Sequence, residues 1–360
     1  MLSIQTRPVL PEDRQELVLF FKEVMDWPGF EHAGSVADYW DWKYVRKPGG
    51  EFVGYAAWSG EKAVSHASAS PVSLLIDRKA VSSGQLGDLY TRPEYRGNGL
   101  AERMLERVEE RAAADGIELL YAFPSEIGRR LVTKRGFWEA PLKFSQYQLI
   151  TNPSMFFDQV SLGPLKKAAY RAMLALRSPS RRSTPGMVKE VSLFPADIDQ
   201  MTERFEANFD LTLRHDRDYL DWRYTDPDGG RFRTLVATVD GQTAGCAVVR
   251  LYSGDGTRYM DIVDMMADLD RPAVAQSLVA EAVRIAVAES VDGVQTWMPS
   301  DHPLVPFLVR AGFIVRAPPA NERELRLLCK AVGGNAPALE DDLKRPGLRA
   351  HIMLGDTDWI

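Results

Sequence analysis

The chain has 360 residues, 45% apolar and 26% charged, with a formal net charge of -6. That length exceeds what one hydrophobic core usually serves, so about two domains are expected. The acid excess argues against non-specific nucleic-acid binding over the whole surface. Cys246 and Cys329 are the two cysteines. They show neither a disulfide framework nor CxxC or Cys/His spacing, which points to reduced thiols in a cytoplasmic protein and to no metal site. The N-terminal MLSIQTRPVLPED lacks the apolar core of a signal peptide, and no apolar run is long enough for a membrane span.

In chain order, a short strand is predicted near residues 3–7 and a helix over 14–25, with Leu17, Phe20, Phe21 and Val24 at helical spacing. Ser35 and Asp38 resemble a capping box opening a helix that carries Tyr39, Trp42 and Lys43, and Pro48-Gly49-Gly50 ends it. Strands follow at 52–58, 63–70 and 84–91, then a helix at 100–115, a strand at 119–123 and a helix at 127–135 stopped by Gly136.

Residues 151–187 differ in composition. No acidic residue occurs from Gln159 to Val188, and Leu165, Ala169, Ala172, Met173 and Leu176 share one face of a basic helix over 165–177. Two readings stand: a weak peripheral contact with anionic membrane, or an interdomain helix packed on the body. Ser/Pro-rich linker follows.

The second half repeats the order of the first. Its strands fall at 234–239, 243–252, 261–267 and 294–298, with a helix at 272–290 and another running to Arg310 before Gly312-Phe313. YWDWKYVRKPGG at 39–50 returns as YLDWRYTDPDGG at 219–230, and Gly136-Phe137 returns as Gly312-Phe313. One order of landmarks in both halves marks a tandem repeat. The expected fold is an α/β (α+β) mixed sheet flanked by helices, built twice. The divisions are 1–150, a helix and linker at 151–187, a second copy at 188–332, and a tail at 333–360. Trp42 and Trp222 read as core anchors, and Lys43 and Arg223 as buttressing or solvated cations, with a place lining the cleft as the other reading.

The segment DLYTRPEYRGNGLAERML at 88–105 carries the chemistry. A strand leads through a glycine-bearing loop into a helix. A helix start leaves backbone N–H groups without partners and favours an anion. Glycines let the backbone approach phosphate oxygens, and Arg96 adds charge-assisted bonds. The loop has neither the G-x-G-x-x-G of a dinucleotide fold nor the G-K-[ST] of a P-loop.

Arg96-Gly97-Asn98-Gly99-Leu100-Ala101 fits R-x-x-G-x-A, and the segment resembles the GNAT acetyltransferase superfamily over most of residues 1–145. In finer detail the chain looks like a bacterial GNAT group marked by Tyr-Trp-x-Trp-Lys-Tyr, Phe-Pro-Asn and Gly-Asp-x-Asp. Here these are residues 39–44, Phe123-Pro124-Ser125 and Gly355-Asp356-Thr357-Asp358, with Ser125 in place of the Asn.

The resemblance implies acetyl-CoA as co-substrate. Backbone groups of Leu89, Tyr90 and Thr91 would pair with its pantetheine arm, and those of Arg96 to Ala101 would hold its pyrophosphate. Ser125 is counted with these cofactor-binding residues. A strand amide near Tyr90 would polarise the thioester carbonyl. The acceptor is a small-molecule amine, with an amino sugar of surface polysaccharide suggested by the finer resemblance and an O-acetyl acceptor left open.

The second copy reads DMMADLDRPAVAQSL at the matching position, with Pro272 for the glycine turn and Asp268 and Asp270 where phosphates would sit. It is expected not to bind CoA. The Tyr that many GNAT enzymes use to protonate the thiolate is Val132 here and Leu308 in the second copy. Tyr90 and Tyr121 are substitutes for it. Asp88, His66 and the terminal carboxylate of Ile360 are the base candidates. The missing Tyr and the altered second copy also allow a non-catalytic acyl-CoA-binding module.

Overall fold

The computed structural model describes residues 4–25, 27, 34–152, 186–254, 256–316, 325–334 and 336–358. The basic helix expected at 165–177, the linker after it and the terminal Ile360 lie outside the described residues. No helix among the described residues is long and apolar enough to cross a membrane.

Strand β1 (Ile4–Pro8) precedes helix α1 (Arg14–Met25), which buries Leu17, Phe20 and Phe21. Helix α2 (Val36–Trp40) starts at a capping box: the Asp38 N–H donates to Ser35 Oγ at 3.1 Å, and the Ser35 N–H to Asp38 Oδ2 at 2.9 Å. The helix then widens into a π-helical turn over Asp41–Val45, closed by the Arg46 N–H on the Asp41 carbonyl. Such turns recur at functional sites, and this one presents Lys43.

Strands β2 (Val53–Ser59), β3 (Lys62–Ile76) and β4 (Lys79–Thr91) form an antiparallel meander. β3 and β4 extend well beyond the predicted strands and meet at Asp77-Arg78, both at positive φ (48° and 66°). Both central residues of a tight hairpin turn need that conformation, which Asn-Gly would have announced and Asp-Arg does not. Helix α3 (Leu100–Ala114), β5 (Leu119–Ala122), helix α4 (Glu126–Lys134) and β6 (Trp138–Glu139) complete the first half.

The sheets do not follow the divisions at 150, 188 and 332. Strand β7 (Phe144–Ile150) leaves the first half. The second half supplies β8 (Val188–Val191), α5 (Ile198–Glu206), β9 (Leu211–Leu213), α6 (Arg217–Tyr224), β10 (Phe232–Val239), β11 (Gln242–Gly254) and β12 (Thr257–Ala267). It continues with α7 (Pro272–Ala288), β13 (Gly293–Pro299), α8 (Val305–Ala311), β14 (Ile314–Arg316), β15 (Leu328–Ala331), α9 (Ala336–Lys344) and β16 (Ala350–His351).

β7 inserts between β13 and β14 of the second sheet, and β15 inserts between β5 and β6 of the first. Each half lends a strand to the other's sheet at the same place. The sequence reading places no strand at 144–150 or 328–331, and pairing with a distant half leaves no local pattern to read. β9 also joins the first sheet, pairing with β3 and β16.

Candidate functional site

β4 and β5 run parallel and pair only at Ser83↔Leu119, Gly84↔Leu120 and Gln85↔Tyr121. From Leu86 onward the two strands splay, and a cavity of about 750 Å³ lies between them. That volume is within the usual range for small-molecule sites. Leu86, Gly87 and Asp88 line it near the root of the splay. Leu89, Tyr90 and Thr91 line it further along, and Arg96, Gly97, Gly99, Leu100 and Ala101 line the loop end. At the end of β5 and beyond it, Ala122, Phe123, Pro124 and Ser125 form the opposing wall.

Gly97 and Gly99 adopt φ of +81° and +68°. No protein atom lies within 4 Å of the place a Cβ would take at either, so the loop needs glycine for backbone conformation and leaves open space above it. Gly99 caps α3 without any side-chain cap, so the first N–H groups of a 15-residue helix face a ligand-sized space. The Arg96 guanidinium lies 5.4 Å from the Tyr90 ring centroid and donates to the Tyr90 hydroxyl (3.1 Å) and the Thr91 carbonyl (3.2 Å). Asn98 is exposed, is not part of the cavity wall, and donates its amide to the Tyr95 carbonyl. Ser125 Oγ caps α4 by accepting from the Gly128 N–H at 3.1 Å.

Asp88 sits on a bulge in β4 with φ at +49° and is 6% exposed. Its Oδ2 accepts from the Tyr44 hydroxyl and pairs with Lys43 Nζ at 2.7 Å. Burial alone would raise the Asp88 carboxyl. The Lys43 charge, with hydrogen bonds from Lys43 and Tyr44, outweighs this and holds the group below the usual carboxylate range. Lys43 is correspondingly pushed above the ordinary lysine value, since Asp88 overcomes its burial.

The structure does not place His66 at the cavity. The ring is fully buried, and its Nδ1–H donates to the Asp88 carbonyl at 2.9 Å. Phe21 packs edge-on at 4.8 Å, and Nε2 has no partner. Burial lowers the imidazole to about 4, so the ring is neutral at pH 7 and buttresses the bulge instead of facing a substrate. Tyr121 is 2% exposed, with a hydroxyl that meets no partner, and it too is absent from the cavity wall. Tyr90 does line the cavity, and Val132 occupies the wall where a proton-donating Tyr was sought.

Comparison with known proteins now bears on this cleft. A family model described as an acetyltransferase (GNAT) domain matches residues 5–139. Those residues are a GNAT domain. No curated protein matches the chain by sequence. Among solved structures, a GNAT acetyltransferase from Anabaena variabilis superposes with a TM-score of 0.65 at 12% identity, over 92% of this chain and 73% of that one. Saccharomyces cerevisiae N-myristoyltransferase with bound myristoyl-CoA gives 0.60 at 16% identity, over 91% and 80%. A tandem GNAT protein from the clavulanic acid biosynthesis pathway gives 0.57 at 13% identity, over 92% and 99%. At such identities the likeness is one of fold: two tandem GNAT units, the fold of acyl-CoA-dependent acyltransferases.

The second GNAT unit keeps part of the first unit's constellation. The Tyr224 hydroxyl donates to Asp264 Oδ2 at 2.9 Å, the counterpart of Tyr44 on Asp88. β12 and β13 also splay, after pairing over 259–261 and 293–295. Here the chain's own residues 353–356 pack against both strands, with Met353 and Leu354 in the second core. A Cβ at Gly355 would stand 2.0 Å from the Tyr224 hydroxyl oxygen, so only glycine passes. Pro272 starts α7, and the Asp268 carboxylate accepts from the Asp270 N–H.

His215, Asp264 and His351 place their ligand-type atoms within 4.8 Å of one another in this second cleft. Hydrogen bonds engage His215 at both ring nitrogens. His215 meets Glu206 Oε1 at Nδ1 (3.2 Å) and Asp356 Oδ1 at Nε2 (2.9 Å), so both nitrogens carry protons. Burial opposes that charge, but Asp356, Glu206 and Asp264 raise the imidazole well above its ordinary value. His302 Nδ1 accepts from the Leu304 N–H, which places its proton on Nε2 and directs it to His351 Nδ1 at 3.1 Å. The His351 proton then faces Asp264. His351 Nε2 stands 3.6 Å from Asp264 Oδ1, and neither atom has a hydrogen-bond partner among the described residues, while the bonds of His215 to Asp356 and of His302 to His351 tie down the 350–356 segment.

From that segment the chain crosses to the first cleft. Gln85 Nε2 donates to the Asp356 carbonyl at 3.0 Å, and Asp358 lines the cavity against Gly87. The sequence offered Asp358 only as part of a family mark. Its place depends on how the second unit threads the segment, which no local pattern records. Met25 and Trp27 are further wall residues that the sequence did not single out, and Tyr39, named there only within the 39–44 mark, is another.

Proposed function

We propose that this protein is an acyl-CoA-dependent N-acyltransferase that moves an acetyl group from acetyl-CoA to the amine of a small molecule. The observation that carries the reading is the splayed β4/β5 cleft, with an uncapped glycine-started helix at one end and two carboxylates, Asp88 and Asp358, on its wall. The pyrophosphate meets the N–H groups of the 96–101 loop. The pantetheine arm lies along the open edge of Leu89, Tyr90 and Thr91. A strand amide near Tyr90 donates to the thioester carbonyl as it becomes an oxyanion. The amine attacks directly through a tetrahedral intermediate, and its proton leaves toward the carboxylate end of the cleft. The departing thiolate is protonated by Tyr90 or by water. An amino sugar remains the acceptor suggested by the finer family resemblance.

The second unit, in this reading, binds no CoA and walls the acceptor end, because its own splay is filled by residues 353–356. Titration calorimetry with acetyl-CoA tests both statements. One site per chain, together with thiol release in the presence of an amine panel, supports the reading, and two sites per chain overturn the second part. Val132 at the usual Tyr position favours one rival, an acyl-CoA-binding module without turnover. Binding with no thiol release under any amine would decide for it.

A further inference from the structure

A small cleft opens from the cavity where Tyr39, Gly87 and Asp358 line both spaces. It lies on the seam between the two units, since Lys43 and Lys47 come from the first and Trp222 and Arg223 from the second. Its ionised side chains are three cations, Lys43, Lys47 and Arg223, and one carboxylate, Asp358.

Two of the cations are engaged. Lys43 is held by Asp88 at 2.7 Å. Arg223 donates from Nε to the Gly355 carbonyl (3.0 Å) and from Nη2 to the Thr357 carbonyl (3.3 Å). Lys47 is different. Among the described residues it makes no ion pair and no hydrogen bond, and its ammonium lies 5.3 Å from the Trp222 ring centroid. Burial, and the charges of Arg223 and Lys43, press its pKa down to about 7 against the pull of Asp358. A half-buried ammonium with no ion pair among the described residues, kept beside two other cations that outweigh the one carboxylate, costs free energy that an incoming anion would recover. Tyr39 and Trp222 line the cleft with aromatic surface beside this ammonium.

We infer that the acceptor amine carries an anionic group, a carboxylate or a phosphate, and that Lys47 binds this group in the seam cleft while the amine lies in the joined cavity. The inference rests on the acyl-transfer reading and names its substrate class. It also gives the second unit a part in the site, because Trp222 and Arg223 close the subsite that the first unit opens.

The test uses the full chain with acetyl-CoA and matched amines: butylamine against 4-aminobutyrate, ethanolamine against O-phosphoethanolamine, glucosamine against glucosamine 6-phosphate. Thiol release gives kcat/KM, and thermal shift of the acetyl-CoA-saturated protein gives binding where turnover is slow. The anionic member of at least one pair should be preferred about tenfold, the scale of one charge-assisted bond. The carboxylate and phosphate arms distinguish the two anions. Lys47→Met should abolish the preference and Lys47→Arg should keep most of it. Lack of preference in every pair, in turnover and in thermal shift, overturns the inference. So does a preference that survives Lys47→Met in a protein whose melting temperature is intact. A shift with acetyl-CoA alone reports the underlying reading separately, so the two fail independently.

Discussion

Trp42 and Trp222 hold each other across the seam by the same contact made twice. The Trp42 indole N–H donates to the Trp222 carbonyl at 2.8 Å, and the Trp222 indole N–H donates to the Trp42 carbonyl at 2.9 Å. Their rings stack with centroids 4.8 Å apart and planes 10° from parallel. Residues 180 positions apart in a duplicated chain meet their own counterparts, which places them on the local twofold axis relating the units. Trp42 is buried in the first unit's aromatic core with Trp222 packed against it, so the two anchors are also one joint between the units.

Trp42→Ala and Trp222→Ala should each cost about 3–5 kcal/mol, the range for truncating a packed aromatic. The double variant should cost about 1–3 kcal/mol less than their sum, because either change already breaks the shared stack. Urea denaturation of the four proteins gives the coupling, and strict additivity would contradict the joint.

Asp88→Asn should destabilise the protein by about 3–5 kcal/mol by leaving Lys43 buried without its partner. Pairing it with Lys43→Met should restore much of that stability. Thiol release by the double variant then separates the two roles of Asp88. Activity restored with stability marks it as a positioning residue, and activity still lost marks a direct part in proton transfer.

Gly99→Ala should lower stability by only about 1 kcal/mol, the cost of a side chain at this left-handed position. The new methyl would stand in the open space above the loop, where the pyrophosphate is proposed to lie. The KM for acetyl-CoA should rise about tenfold, equivalent to roughly 1.4 kcal/mol of lost binding. An unchanged KM would remove the loop from the phosphate site.

His66 gives the fold a predictable weakness in acid. Its imidazole is held at about 4 by burial, against about 6.5 in an unfolded chain. As pH falls through that window the unfolded chain takes up a proton that the native fold refuses, so stability declines, by about 3 kcal/mol over the full span. His66→Asn keeps a donor for the Asp88 carbonyl without the titration. Its urea midpoint should fall less than that of the parent between about pH 7 and pH 4, and parallel declines would refute the assignment.

The duplication and the glycine-bearing loop are legible because both are written in consecutive residues. The loop is six residues of strand-to-helix turn with glycines at the two positive-φ positions, and the repeat is carried by landmarks in one order. The β3–β4 hairpin was truncated in the reading because Asp77-Arg78 lacks turn chemistry. Asp358 and Lys47 were missed as site residues for another reason. One reaches the cavity only after crossing from the second unit, and the other is isolated only once Lys43 and Arg223 have found their partners. His66 was brought forward because it neighbours Asp88 in the sheet. The burial that takes it off the cavity wall comes from α1, whose Phe21 covers the ring.

The reciprocal placement of β7 and β15 has a consequence for any attempt to shorten this protein. A chain ended after the GNAT match at residue 139 would lack the strand that lies between β5 and β6, and the outer wall of the cleft would be left as a bare edge. The second unit would likewise lack its strand between β13 and β14. The two copies can diverge at the 96–101 loop without coming apart, because neither sheet is complete without the other's strand. The half without the loop is a structural part of the half that has it.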